Sequence, residues 1–297
     1  MFTLCLCFCR RRFVELFRAL HFNDNSTFVP PGQPGFDKIF KVRPLVDRLN
    51  QVWKKQWNPG WALSVDEMMV GFKGRSHMRQ YIPAKIIKWG FKLWAMCCGK
   101  SGFCLQFDPY QGKRPGEVSQ KDTGGNVVRG LAALAAKPGS CIFADNFFTS
   151  PLLLKDLKEK GIDYVGTVRA NRKHFPREVL IKQTKHSVRG EIKSAVCSKT
   201  DIRAVCWLDN KPVAVMSTVF TPTATYTAQR RGRDAQGFNC PVAIPQPEMI
   251  RYYNLYMGGV DQMDQLRANY PFERVIRSNL WYKKLYLGIF GIALNNA

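Results

Sequence analysis

Apolar and polar positions alternate along this chain at two different periods, and the switch between them divides it. Residues 13–22 (FVELFRALHF) and 37–57 (DKIFKVRPLVDRLNQVWKKQW) carry apolar side chains at helical spacing. The stretch between them, 23–35 (NDNSTFVPPGQPG), is dense in turn formers and predicts a loop. Beyond residue 61 the pattern becomes strand-like. Residues 62–72, 87–98 and 103–113 read as three strands, with a basic, turn-rich connection at 73–85. A helix is predicted around 127–136, then a short apolar strand, CIFA, ending in Asp145. The helix predicted at 150–161 is well marked: Ser150 suits the N-cap, Pro151 the first helical position and Gly161 the stop. Residues 163–170 return as a strand. Strands alternating with helices predict an α/β sheet.

Residues 171–247 break that rhythm. The first part is basic and loop-like, 203–220 reads as a β-hairpin around Asp209 and Asn210, and 221–237 reads as a polar, basic, flexible stretch. The whole region is taken as an insertion carrying extra β structure. After Pro245 and Pro247 the pattern is helical to the end, and no internal repeat is apparent.

With 297 residues and 45% hydrophobic content the chain can bury one large or two modest domains. A formal charge of +23, clustered along the chain, points to a polyanionic partner, with nucleic acid the default. In the opening MFTLCLCFCRRR the basic residues follow the apolar run, the reverse of a secretory signal, and the apolar run 285–294 is too short to span a bilayer. A soluble intracellular protein without membrane contact is expected. The ten cysteines form no Cys-x-x-Cys pair and match neither a zinc site nor a disulfide framework, so buried reduced thiols are expected. Cys5, Cys7 and Cys9 alternate, but no nearby residue completes a set of four ligands. The GKS at 99–101 has Trp94 where a phosphate loop needs its leading glycine, and His77 has no metal-ligand partner at useful spacing.

Four acids stand out. Asp66 interrupts an apolar strand, which costs stability unless the carboxylate is solvated, hydrogen-bonded or bound to a cation. Asp145 ends a strand just before a helix, where α/β folds place their sites. Asp261 and Asp264 are three apart in GGVDQMDQL and share one face of a helix. Each also has an ordinary reading: Asp66 facing water at a sheet edge, Asp145 closing a turn, Asp261 favouring a helix dipole. Spacing alone does not choose between them.

Blocks of sequence do. Residues 63–94 (LSVDEMMVGFKGRSHMRQYIPAKIIKWGFKLW), 142–173 (IFADNFFTSPLLLKDLKEKGIDYVGTVRANRK) and 252–265 (YYNLYMGGVDQMDQ) resemble the three main blocks of the piggyBac transposase family, in the same order. Residues 207–218 (WLDNKPVAVMST) resemble the strand block that family carries between its second and third acids. The resemblance implies an α/β fold with a ribonuclease H-like catalytic core, an inserted β-rich domain and flanking helical segments. Its expected division is a helical DNA-binding or dimerisation segment at 1–61, the first part of the core at 62–171, the β-rich insertion at 172–247, the last core helix at 248–270, and the start of a second helical DNA-binding segment at 271–297. It implies catalytic, metal-binding roles for Asp66, Asp145 and Asp261, with Asp264 as an adjacent acid, and two Mg²⁺ ions for which Mn²⁺ can substitute. It further implies cut-and-paste DNA transposition at TTAA, double-stranded DNA as partner (transposon ends and target), a homodimer and a nuclear location. The alternative is a domesticated, catalytically silent DNA-binding or chromatin protein derived from a transposase; a different ribonuclease H-like nuclease is a third reading. Family members also carry a C-terminal cysteine-rich module. This sequence has no cysteine after Cys240, so a fragment, a truncated product or a domesticated remnant is expected.

The cations supply the DNA side. Lys73, Arg75, Arg79, Lys85, Lys88 and Lys92 follow Asp66, interleaved with Tyr81, Trp89 and Phe91; Arg169, Arg172, Lys173 and Arg177 follow the strand after Asp145. Such residues give phosphate affinity rather than sequence choice. The plainer reading is a solvated surface with the aromatics in the core. The run RRGR at 230–233 reads as a nuclear-import patch or a DNA contact.

Overall fold

The computed structural model describes residues 9–112, 122–233 and 238–297. Cys5 and Cys7 of the alternating cysteines lie outside them, as do residues 234–237 of the polar stretch.

The chain opens with helix α1 (Arg10–Ala19), which buries no residue of its own. The buried Lys283 ammonium holds its end, donating to the carbonyls of Phe17 and Arg18. Two short 3₁₀ turns follow at Asn25–Thr27 and Phe40–Val42, then helix α2 (Arg43–Gln56). The helical pattern from residue 37 thus becomes a regular α-helix only at Arg43. Asp37 explains the delay: its carboxylate takes the Ile39 N–H and grips the Arg43 guanidinium at 2.7 and 2.9 Å, which closes a turn instead of starting a helix. Pro44 then sits in the first turn, where its missing N–H costs nothing.

The centre is a mixed sheet. Its first strands are β1 (Ala62–Gly71), β2 (Arg79–Tyr81), β3 (Trp89–Cys98) and β4 (Cys104–Pro109), so the basic connection at 73–85 contains a short strand. Helix α3 (Thr123–Ala135), β5 (Cys141–Ala144), α4 (Pro151–Glu159) and β6 (Asp163–Thr167) come next. The marked helix signals at α4 are all used: the Ser150 side chain accepts the Leu153 N–H, and Gly161 ends the helix at a φ of +70°. After a 3₁₀ turn at Arg177–Val179 the chain adds β7 (Ile192–Val196), β8 (Arg203–Leu208) and β9 (Pro212–Ser217). The hairpin expected around Asp209 and Asn210 joins β8 to β9.

Among the described residues these strands form one nine-stranded sheet in the order β2-β3-β1-β5-β6-β9-β8-β7, with β4 also on β3. β3 runs antiparallel to both β1 and β4, β5 and β6 run parallel to β1, and β9 returns antiparallel to β6. Strands from the 172–247 region therefore extend the central sheet. The rest of that region is a separate ribbon, β10 (Thr225–Arg233) with β11 (Asn239–Pro247). Residues 225–233, expected to be flexible, are thus a paired strand. The ribbon is held from outside itself: Arg189 and Arg230 both grip Asp209, and the Trp207 indole donates to the Pro245 carbonyl at 2.8 Å. RRGR falls within β10.

The last helices are α5 (Glu248–Tyr256), α6 (Gly259–Ala268), α7 (Phe272–Val275) and α8 (Trp281–Asn296). Side chains on β1 alternate between two cores, as the period of a strand requires. Leu63 and Val65 join Val128, Leu131, Leu153 and Leu157 from α3 and α4. Met68 and Val70 join Val46 and Trp53 from α2, Val260 and Met263 from α6, and Leu285 and Ile289 from α8. Among the described residues no helix is long and apolar enough to cross a membrane.

Candidate active site

The same alternation puts Asp66 on the Met68 and Val70 face of β1, which α6 covers. Asp66 lies opposite Ala95 of β3. One residue earlier, Val65 pairs with Ala144 of the parallel strand β5, so Asp66 and Asp145 leave neighbouring strands side by side. Asp145 shapes its own loop: its Oδ1 accepts the Phe147 N–H at 2.8 Å and its carbonyl accepts the Thr149 hydroxyl at 2.9 Å. The turn-closing role read from sequence is real and occupies one carboxylate oxygen.

Asp261 arrives from far along the chain. It sits in the first turn of α6, whose start lies almost on the sheet: a Cβ at Gly259 would stand 2.7 Å from the Cys98 carbonyl oxygen and 3.1 Å from the Ser64 Cβ. Only glycine permits that approach. The Ser64 hydroxyl donating to the Met257 carbonyl at 2.5 Å fixes the same junction.

Lys85 joins the two acids. Its ammonium lies 3.0 Å from Asp66 Oδ2 and 3.3 Å from Asp261 Oδ1. The Lys85 and Asp66 side chains are 19% and 15% exposed, whereas Asp261 is half open to solvent. Burial acts to lower the Lys85 pKa, but the adjacent Asp66 charge and hydrogen bond, with Asp261, outweigh it and raise it above the ordinary lysine value. Lys85, expected on DNA phosphates, is thus committed to the acids.

Negative charge is crowded here. Burial, then the hydrogen bond and charge of Asp66, push Glu67 up to about 7. Burial raises Asp145 as well; the Phe147 N–H opposes this and the Asp66 charge adds to it. Glu67 was not singled out from sequence, although two consecutive acids in an apolar strand were visible there.

Asp264 serves another purpose. Its Oδ1 accepts from Arg267 at 2.8 Å, and Arg267 also reaches the Met69 carbonyl and Glu273. Burial raises the Asp264 pKa, against the pull of Arg267. This carboxylate helps clamp α6 to β1.

The remaining cations separate into braces and open charges. Arg172 donates to the carbonyls of Asn146 and Phe147, and Arg169 to the Asn146 side chain, so both stiffen the loop after Asp145. Arg79 donates to the carbonyls of Lys73 and Gly74. Lys73, Arg75, Lys88, Lys173 and Arg177 are exposed. Lys92 lies between the rings of Trp94 and Tyr110, at 3.9 and 4.3 Å from their centroids, and burial lowers its pKa. His77 is exposed.

Among the described residues no group of three or more His, Cys, Asp or Glu side chains is arranged to hold a metal ion as the chain stands. The donor chemistry nonetheless suits a hard divalent cation: carboxylate oxygens only, two of them on adjacent strands, crowded enough to raise Glu67 and Asp145. A cation already sits between Asp66 and Asp261, and it is the Lys85 ammonium. Lys85→Met is therefore expected to strengthen Mn²⁺ binding in the absence of DNA by about tenfold or more, since it removes a competing positive charge from a partly buried site. Calorimetric titration with Mn²⁺ checks this, and equal affinity in both proteins would show that the lysine does not compete.

A family model described as Transposase IS4 matches residues 4–297. The chain is 34% identical to PiggyBac transposable element-derived protein 3 of Homo sapiens, over 97% of this chain and 47% of that protein. It is 29% identical to PiggyBac transposable element-derived protein 2 of Homo sapiens, over 97% of this chain and 48% of that protein. It thus spans about half the length of these relatives. Among solved structures it resembles a piggyBac transposase in a synaptic complex with hairpin DNA, with a TM-score of 0.76 and 28% identity, over 97% of this chain and 56% of that one.

Proposed function

This chain belongs to the piggyBac-type branch of the IS4 transposase family, and on that premise we propose that it forms the core of a DDE/D transposase that cleaves DNA strands and transfers them in cut-and-paste transposition at TTAA. The observation that carries the reading is the Lys85 bridge between Asp66 and Asp261, with Asp145 directly following Ala144, the β5 partner of Val65. The strand order supports a ribonuclease H-like core: three antiparallel strands, β4-β3-β1, then the parallel pair β5 and β6. In that reading β7–β11 make up the β-rich insertion before the third acid.

Asp66, Asp145 and Asp261 would hold two Mg²⁺ ions, for which Mn²⁺ could substitute. When bound, such a pair activates the attacking water or 3′-hydroxyl and stabilises the leaving oxygen of an in-line displacement. The chain's own residues supply placement. The Phe147 N–H fixes the Asp145 carboxylate, Arg169 and Arg172 brace its loop, and the Arg267 clamp sets the height of Asp261 over the sheet. The exposed Lys73, Arg75, Lys88 and Lys173 take backbone phosphates of transposon ends and target DNA. A homodimer acting in the nucleus completes the proposal; the synaptic DNA complex of the similar transposase supports the DNA partners.

A second reading is favoured by one observation, the Lys85 ammonium neutralising Asp66 and Asp261. A domesticated protein that binds DNA without cutting it would keep that pairing. Incubating the purified protein with labelled transposon-end DNA and Mg²⁺ or Mn²⁺ separates the two. Metal-dependent nicking supports the transposase, and stable binding without any nick supports the silent DNA-binding protein.

A further inference from the structure

We propose that Tyr81 and Trp89 form a stacking platform for an unpaired nucleobase at a DNA end. The proposal deepens the transposase reading and rests on it for the identity of the strand.

The platform is built by the short ladder between β2 and β3, where Arg79 pairs with Phe91, Gln80 with Gly90 and Tyr81 with Trp89. This sets the two rings beside each other, with centroids 4.6 Å apart and planes at 36°. A cross-strand aromatic pair stabilises a hairpin whether or not it binds anything. These rings, however, stay open to solvent, Tyr81 at 51% and Trp89 at 45%, whereas Phe91 on the same strand is 2% exposed. Arg79 is held by the carbonyls of Lys73 and Gly74 and places its guanidinium 4.7 Å from the Trp89 ring centroid. The platform is therefore pre-formed.

Its position supplies the link to chemistry. The Ile82 N–H donates to the Lys88 carbonyl at 2.9 Å, closing a loop whose inner residue Lys85 reaches Asp66 and Asp261. The rings stand at the base of the loop that enters the acid cluster. Along β3, Trp89 is six residues from Ala95, the partner of Asp66. That is about 20 Å of strand, or about six nucleotide steps at duplex spacing.

Charge selects the occupant. Lys73, Arg75 and Lys88 around the rings are exposed cations, so the partner is a polyanion. Exposed aromatic faces interleaved with cations suit single-stranded nucleic acid. A base inside a duplex has both faces covered by its neighbours and a paired base at a blunt end is held in its pair, so the rings grip a base that is unpaired.

The test compares two DNA probes without metal: a short duplex closed by a hairpin loop carrying 2-aminopurine, and the same duplex with blunt ends. Wild-type protein is expected to quench the 2-aminopurine and to bind the hairpin more tightly. Trp89→Ala and Tyr81→Ala are expected to weaken hairpin binding by about 5- to 150-fold, with blunt-duplex binding changed less than about twofold and melting temperatures lowered by no more than about a few degrees, the loss of the cross-strand pair. Trp89→Phe is expected to recover most of the loss. Equal affinity for both probes, or equal loss on both in the alanine variants, overturns the platform and leaves the transposase reading standing. Failure of the wild-type protein to bind either probe overturns both.

Discussion

Asp145→Asn is expected to lower metal-dependent strand cleavage by at least about 10²–10³-fold while DNA affinity stays within about twofold of wild type. Asparagine is the sharper substitution because the Asp145 side chain has two functions. One oxygen accepts the Phe147 N–H, which an asparagine carbonyl does equally well. What the amide cannot supply is the negative charge that holds a divalent ion. Asp145→Ala removes both, so it is expected to lose cleavage to the same degree and to loosen the loop that Arg169 and Arg172 brace. Cleavage of labelled DNA ends, with binding measured in parallel, checks the prediction. Near-normal cleavage by the asparagine variant would remove Asp145 from the catalytic set.

The second large effect is on stability. Arg267 and Glu273 are each only 3% exposed and pair at 3.3 Å. Arg267 also holds Asp264 and the Met69 carbonyl, so one guanidinium ties α6, α7 and β1 together. Arg267→Met leaves Glu273 buried without its cation, and breaking a buried pair from one side costs about 3–5 kcal/mol. The double variant Arg267→Met with Glu273→Leu is expected to recover part of that loss, because Glu273 is no longer stranded, and only part because Asp264 still lacks its cation. Denaturant unfolding of the three proteins measures both effects. A single variant within about 1 kcal/mol of wild type would mean that water reaches the pair. Because α6 carries Asp261, the single variant is also expected to cleave poorly at temperatures where it remains folded.

Much of the sheet was legible from residues 62–170, because β1, β3, β4, β5 and β6 each bury at least one face and so leave an apolar signal, whereas the three-residue β2 buries no side chain, and because α4 carries its capping residues in sequence. The weaker readings have physical reasons. β10 is polar along TYTAQRRGR and of its residues Ala228 is the buried apolar one, so period-2 alternation had little to show. β7 lies at the sheet edge and is mostly half-buried or exposed. Asp37 looked like part of a helix because nothing local reveals that its carboxylate bonds to Ile39 and Arg43. The candidate acids were picked out by matched blocks, since each alone had an ordinary explanation, and for Asp145 that explanation proved true alongside its placement beside Asp66. Lys85 was grouped with the DNA-facing cations; its contacts with residues 19 and 176 positions away are beyond any local pattern. The spacing of Asp264 from Asp261 gave only a shared helix face and the family resemblance implied its place beside the site, while its charge is spent on Arg267, a partner visible only once α6 is packed.

Diffraction at the manganese absorption edge, from crystals of the protein grown with Mn²⁺ and a cleaved DNA end, interrogates the acid cluster most directly. The expected result is anomalous density at about 2.0–2.3 Å from carboxylate oxygens of Asp66, Asp145 and Asp261, with the Lys85 ammonium moved off Asp66. Manganese bound elsewhere, or DNA in place with Lys85 still seated between Asp66 and Asp261 and no metal beside them, would contradict a metal-dependent strand-cleaving site.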